Sequence, residues 1–234
     1  MEEVFVQDAG SLDACLSVYH TFPVVMIQFA EVFGLMALPN QEGVKGLNSA
    51  KIRLPEKIYG SLIGSSARFW GMGDKRDWMD YLPDANAYSK LEGSIIRIRI
   101  SDESQSTNAC LNGTHQSLLL PLGPIRSFVS ELESQLEEYA DKDLFLGHTF
   151  SAPLCTSANY SGHMEGSITE LETARAFGKE RGIPLLIRTQ KEVAGEKGSF
   201  PVLSLEQGHI RIARNGPGLE DIKSRFAPGT FVEK

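Results

Sequence analysis

The chain has 234 residues, against the roughly 150 of an average domain, and one compact domain is the first expectation. With 41% hydrophobic, 23% charged and 9% aromatic residues it holds enough apolar mass for a core without metal or disulfide staples, which excludes collagen, coiled coil and full disorder. Its 23 basic and 30 acidic side chains sum to -7, a field that repels polyanions unless a local patch reverses the sign, so bulk electrostatic RNA binding is disfavoured.

Residues 10–20 place Leu12, Cys15, Leu16 and Tyr19 at i, i+3, i+4 and i+7, which predicts an amphipathic helix capped by Ser11 and stopped before Pro23. Val24 to Phe29 reads as a buried strand, Gly34 as a turn, and Gln41 to Lys51 as a short helix delivering Lys51 at its end. Residues 60–68 fit a strand or a loop equally well. Residues 71–115 read as a divergent insertion or lid: 71–88 are polar and aromatic without a period, and 101–115 form a polar linker. Between them Ile96, Ile98 and Ile100 alternate with Arg97 and Arg99, the period of a strand with one wet face. Ser117 to Leu122 is a further strand, and Pro124 opens a helix through Phe128, Leu132, Leu136 and Tyr139. Leu144 to Leu154 reads as a strand, Ser167 to Arg181 as a helix ending at Gly182, and 184–187 and 202–205 as core strands. Ile210 to Ala213 closes a hairpin after Gly208. Strands alternating with helices predict an α/β fold around a mixed sheet.

Cys15, Cys110 and Cys155 are odd in number and widely spaced, which suggests neither a zinc knuckle nor a disulfide framework and fits a reducing compartment. The longest apolar run, residues 22–27, is far below the roughly 20 residues of a membrane span, and the start Met1-Glu2-Glu3 lacks a basic leader, so a cytoplasmic chain is expected. Walker A, Gly-x-Gly-x-x-Gly, Gly-x-Ser-x-Gly and His-Glu-x-x-His motifs are all missing. The histidines at 20, 115, 148, 163 and 209 show no ligand spacing, so no protein-held metal is expected.

Two segments stand out together. In Lys51-Ile52-Arg53 an extended backbone points both cations to one side, a two-pronged clamp suited to phosphate or carboxylate, though alone the tripeptide reads as two solvated charges at an element end. Thr156-Ser157-Ala158-Asn159-Tyr160-Ser161-Gly162 follows an apolar strand and offers three hydroxyls, an amide and several backbone N–H groups where α/β sheets bind ligands. A plain Ser/Asn/Gly turn is its bland reading.

The second segment resembles the Thr-Ser-Ala-Asn-x-Ser-Gly signature of the YrdC family, the threonylcarbamoyl-AMP synthases of tRNA modification. Glu31-Val32-Phe33-Gly34, Val44, Leu47 and Lys51-Ile52-Arg53 resemble that family's Val-Phe/Tyr-Gly turn, helix and Lys-x-Arg motif, and Ser199 through Arg214-Asn215-Gly216 resembles its last conserved stretch. The resemblance runs in order over about residues 12 to 216. It implies a single YrdC-like α/β domain over 1–234, a twisted, mixed, largely parallel sheet with helices on both sides and a concave cavity. It also implies joining of an amino acid, bicarbonate and ATP into a carbamoyl-adenylate and pyrophosphate, with Mg2+ carried by the nucleotide. Lys51 and Arg53 would then be catalytic and grip phosphates, together with Thr156, Ser157, Asn159, Ser199 and Arg214 around the nucleotide.

Three departures mark a divergent member. Gln28-Phe29-Ala30 replaces the family's Pro-Thr-Glu, so Gln28, Phe29 and Glu31 would wall the substrate pocket without the threonine hydroxyl. The Pro-Gly-Pro segment gives way to 71–115, and Leu120-Pro121-Leu122 stands where Val-Arg-x-Pro is expected. Two alternatives follow. One is a double-stranded RNA or tRNA binder whose Lys51, Arg53, Arg97, Arg99, Arg211 and Arg214 line one basic concavity; the other is a non-catalytic paralogue that binds nucleotide or a partner.

Overall fold

The computed structural model describes residues 1–29, 32–52, 57–102, 104–160, 166–189 and 197–233. The first part of the chain builds β1 (Glu2–Phe5), α1 (Ser11–Tyr19), β2 (Val24–Gln28), β3 (Phe33–Ala37), α2 (Gln41–Lys51), β4 (Gly60–Ile63), α3 (Ser66–Met72) and α4 (Ala85–Ser89). The middle adds β5 (Ser94–Arg99), β6 (Cys110–Leu111), β7 (Thr114–Leu119), α5 (Pro124–Gln135) and β8 (Leu154–Ser157). The last part is α6 (Leu171–Glu180), β9 (Leu185–Arg188), β10 (Val202–Glu206), β11 (His209–Arg214), α7 (Leu219–Ser224) and β12 (Phe231–Glu233).

These strands form one mixed sheet in the order β1-β9-β2-β3-β8-β4-β7-β5-β10-β11-β12, with β6 paired to β7. Parallel ladders join β1–β9, β2–β9, β4–β7, β5–β10 and β11–β12, and antiparallel ladders join β2–β3, β3–β8, β4–β8, β5–β7, β6–β7 and β10–β11. The central strands are apolar on both sides because both faces are covered. On one face α1 and α5 seal Val25, Ile27, Met36, Leu62 and Leu118. On the other, α2, α3 and α6 pack Val44, Phe69 and Phe177 against Met26, Leu35 and Ile96. Together these make an α/β domain with helices on both sides.

The alternation over 94–99 is confirmed, with Ile96 and Ile98 buried and the arginines half-buried. Several expectations need correction. Gly34 is no turn; it sits within β3, where a Cβ would lie 2.5 Å from the Phe29 ring, so the strand packs too tightly for a side chain. The cap of α1 is Gly10 in the left-handed region, and the Ser11 hydroxyl instead donates to the Val6 carbonyl. Of 144–154 only Leu154 is strand, because Leu146 and Gly147 take positive φ and break extension, while Leu144, Phe145 and Phe150 plug the core as loop residues. The helix after Ser167 starts at Leu171, and β1 and β3 went unforeseen. Within 71–115 Trp78 is fully buried and Tyr88 stacks on Trp70 at 4.1 Å, and the expected polar linker of 101–115 holds β6.

Candidate functional site

β8 lies between β3 and β4, with Ser157 opposite Gly34 and Cys155 opposite Gly60, so its carboxyl end delivers Thr156, Ser157 and Asn159 at the middle of the sheet. Lys51 reaches the same place from α2. Asn40 starts that helix by accepting the Glu42 and Gly43 N–H groups, both at 3.0 Å. At its other end Ile52 adopts φ 49°, a left-handed conformation that costs a β-branched residue roughly 1–2 kcal/mol and turns the chain sharply. Lys51 thus remains in the last helical turn, with no exposed surface. Its ammonium donates to Thr156 Oγ1 at 3.3 Å, to the Ser157 carbonyl at 2.5 Å and to Asn159 Oδ1. These three oxygen acceptors match the donor capacity of an ammonium and help to hold a buried cation.

The expected extended clamp is therefore not what Lys51 and Ile52 form. Lys51 is helical and buried while Ile52 is left-handed and 68% exposed. Arg53 and Glu31 lie outside the described residues.

In front of this anchor a pocket of about 110 Å3 opens beside the strand ends. Thr156, Ser157, Ser199 and Arg214 line it with Phe29 and Phe200, whose rings meet edge-on at 5.8 Å. Ser199 Oγ shares a 2.6 Å hydrogen bond with Ser167 Oγ, and Arg214 donates to the Phe200 carbonyl at 2.7 Å. Lys51 and Asn159 stand behind the wall. Gln28 does not line the pocket; its amide oxygen accepts from Arg188 Nε at 3.4 Å, beside the Glu3–Arg175–Arg188 ion cluster. The two motifs thus converge across 105 to 108 positions, and all the expected residues from 156 onward that are described fall at this one end of the sheet.

Other members of the site went unread. Gly60, Ile95, Gln116, Leu118 and Cys155 also line the pocket; only the alternation of β5 hinted that Ile95 and its neighbours share a face. Burial pushes the Cys155 thiol up to about 12, which favours the protonated thiol at neutral pH. Arg97 and Arg214 are both held below the usual arginine value, first by burial and then by a neighbouring guanidinium, Arg211 beside Arg97 and Arg97 beside Arg214. Arg99 is committed to Asp77, at 2.5 Å. Among the described residues no cluster of His, Cys, Asp or Glu is arranged to hold a metal ion, and no helix is long and apolar enough to cross a membrane.

No protein-family model matches the sequence, and no curated protein matches it significantly. Solved structures do. Sua5 from P. abyssi, solved with L-threonine, superposes with a TM-score of 0.66 at 16% identity over 100% of this chain and 63% of its own. E. coli YciO gives 0.59 at 10% identity, covering 92% of this chain and 94% of that one. Full-length HypF in a phosphate- and nucleotide-bound form gives 0.54 at 18% identity, covering 91% and 30%. This chain spans just under two thirds of the Sua5 length. What these likenesses define is the class: the molecule has the YrdC-like fold.

Proposed function

We propose that this chain binds ATP at the carboxyl end of β8 and forms a carbamoyl-adenylate, the YrdC-type reaction linked to tRNA modification. The observation that carries the reading is the Lys51 ammonium, which draws Thr156, Ser157 and Asn159 into one constellation beside the pocket that Ser199 and Arg214 also line. A nucleotide-bound relative of the same fold and another bound to threonine support it.

In this reading an amine adds to bicarbonate with loss of water, a carbamate oxygen attacks the α-phosphorus, and pyrophosphate departs. The protein supplies alignment and charge and no covalent nucleophile. Lys51 sets the signature loop, the Ser157 and Ser199 hydroxyls donate to phosphate oxygens, and the Arg214 guanidinium bears on the phosphates with Arg53 following Lys51 in sequence. Mg2+ carried by the nucleotide would supply further charge neutralisation at the phosphates, beside Ser157, Ser199 and Arg214. Gln28 turns to Arg188 and is not among the pocket-lining residues, so it does not select between threonine and another amino acid as acceptor.

A pocket of about 110 Å3 falls below the ~300 Å3 at which small-molecule sites begin, so Phe29 and Phe200 must part to admit a nucleotide. Their edge-on contact adds only about 1 kcal/mol beyond burial, a modest barrier against charged hydrogen bonds of roughly 1.5–3 kcal/mol each. The same small pocket favours a second reading, a paralogue without turnover.

The test is calorimetric titration with Mg-ATP, followed by pyrophosphate release with bicarbonate and a panel of amino acids. Saturable binding lost in Arg214→Ala, with amino-acid-dependent release, is expected. Binding without release under any amino acid selects the non-catalytic paralogue, and absence of ATP binding overturns both.

A further inference from the structure

The sheet face that carries the pocket is sealed by α1 and α5 as far as β7; beyond it, on β5, β10 and β11, that face bears charge, and among the described residues no helix of that cluster reaches it. Four residues lie directly opposite one another across four strands there: Gln116, Arg97, Ser204 and Arg211. One row nearer the pocket, Ile95, Val202 and Arg214 are likewise opposed. Arg211 and Arg214 are three positions apart, so strict alternation would turn them to opposite faces. A register shift between Val202 and Leu203 accommodates Ala213 as the extra residue and brings both arginines to the same face. Bulges of this kind re-aim side chains beside sites.

Two features of this patch are unresolved by the protein alone. Arg211 is paired with Glu206 at 2.5 Å, but among the described residues neither Arg97 nor Arg214 meets a carboxylate. Arg97 has the Gln116 amide oxygen at 3.0 Å, and Arg214 has the Phe200 carbonyl. Between the strands that carry them lies Ser204, 4% exposed, whose Oγ has no hydrogen-bond partner among the described residues. The buried orphan hydroxyl is unfavourable, the half-buried Arg97 and the exposed Arg214 flank it without a carboxylate among the described residues, and one oxyanion serves all three. We propose that Arg97, Ser204 and Arg214 form an oxyanion subsite on the open sheet face adjoining the pocket, and that it takes a phosphoryl group. The subsite stands on its own geometry and rests on the ATP reading only for the source of its anion, either the polyphosphate tail of a nucleotide in the pocket or a separate phosphate.

The probe is inorganic pyrophosphate, titrated calorimetrically into the full chain, with AMP and ATP as parallel arms. Wild type is expected to bind pyrophosphate, with at least tenfold weakening in Arg97→Gln and a several-fold weakening in Ser204→Ala, while AMP affinity is unchanged in both. Removing an unpartnered hydroxyl leaves the ligand-free thermal midpoint of Ser204→Ala unchanged or raised, so a loss of affinity there reports the subsite and not the fold. Arg97→Lys, which keeps the charge, retains part of the affinity if Arg97→Gln folds poorly. Competition between pyrophosphate and ATP assigns the anion to the nucleotide's tail; binding without competition assigns it to a separate phosphate. Pyrophosphate binding that depends on Arg97 in a protein that ignores ATP upholds the subsite and removes the ATP reading. No binding of pyrophosphate, or equal binding by wild type, Arg97→Gln and Ser204→Ala, overturns the proposal.

Discussion

A lysine with no exposed surface makes a sharp demand on its neighbours. The Lys51 ammonium is stabilised by oxygens of Thr156, Ser157 and Asn159, so it works first as a peg that fixes the signature loop. Replacing it by methionine keeps the length but strands those acceptors, at a cost of about 3 kcal/mol. For a chain of this size that is roughly a 10 °C fall in thermal midpoint. Scanning calorimetry of Lys51→Met checks it: a midpoint near wild type with lost ATP binding would make Lys51 a ligand-facing prong instead of a peg. The next residue gives a converse test. Ile52 holds φ 49° while 68% exposed, so its side chain gains little from packing and pays the left-handed strain. Asparagine tolerates that conformation, and Ile52→Asn should stabilise the chain by about 1 kcal/mol in urea denaturation. A loss of stability would mean that the Ile52 side chain contributes packing of its own.

At the scale of elements, helix α5 is locked to the turn after β4 by contact and by charge. A Cβ on Gly64 would sit 2.2 Å from the Ser130 backbone nitrogen, and the buried Glu133 carboxyl accepts the Gly64 and Ser65 N–H groups at 2.9 and 3.0 Å. Gly64→Ala must push the helix off the sheet, which should cost about 3 kcal/mol in denaturant midpoints. A shift under about 1 kcal/mol would show that α5 yields freely. Helices with strong apolar stripes, α2 and α5, were legible from sequence, as was the alternating β5 and the pairing of the Lys51 and Thr156–Asn159 motifs. What escaped depended on partners distant in the chain. β3 hides behind Gly34 because the glycine serves a cross-strand contact, and 144–154 is apolar because it plugs the core, not because it is extended. Arg97 and Arg214 share a face, as the RNA-binding alternative required, but the bulge that brings Arg214 there has no local signal. The motif residues in the loop were readable as chemistry; Gln28 was not, since only the β9 neighbour Arg188 shows that it faces away.

For the whole molecule, two buried groups on different elements set opposing slopes of stability with pH. Glu133 would ionise at 4.5 when unfolded, but burial raises it to about 7 in spite of the two N–H donors. Between those values the native state keeps a proton that the unfolded chain has released, so stability falls as pH rises. His115, fully buried among Phe69, Phe145 and Phe150, runs the other way: burial lowers it from 6.5 to about 4, only partly offset by its bond to the Ala109 carbonyl. From pH 6.5 down to 4 the unfolded chain takes up a proton that the native state refuses, and stability falls as pH drops. Each group is worth about 3 kcal/mol over its window. Where the windows overlap, from 4.5 to 6.5, the slopes cancel, and wild-type stability should be flat. Below that range Glu3, whose carboxyl is held low chiefly by its hydrogen bond from Arg175, adds to the acid loss. Glu133→Gln removes one limb, so urea denaturation at pH 4.5, 5.5 and 6.5 should show stability climbing by about 1 kcal/mol per unit. His115→Gln should show the mirror image, a decline across the same three points. A wild-type protein that is flat while both variants are flat as well would mean that neither group changes its proton on unfolding in this range, and that the burial of each is relieved by water in solution.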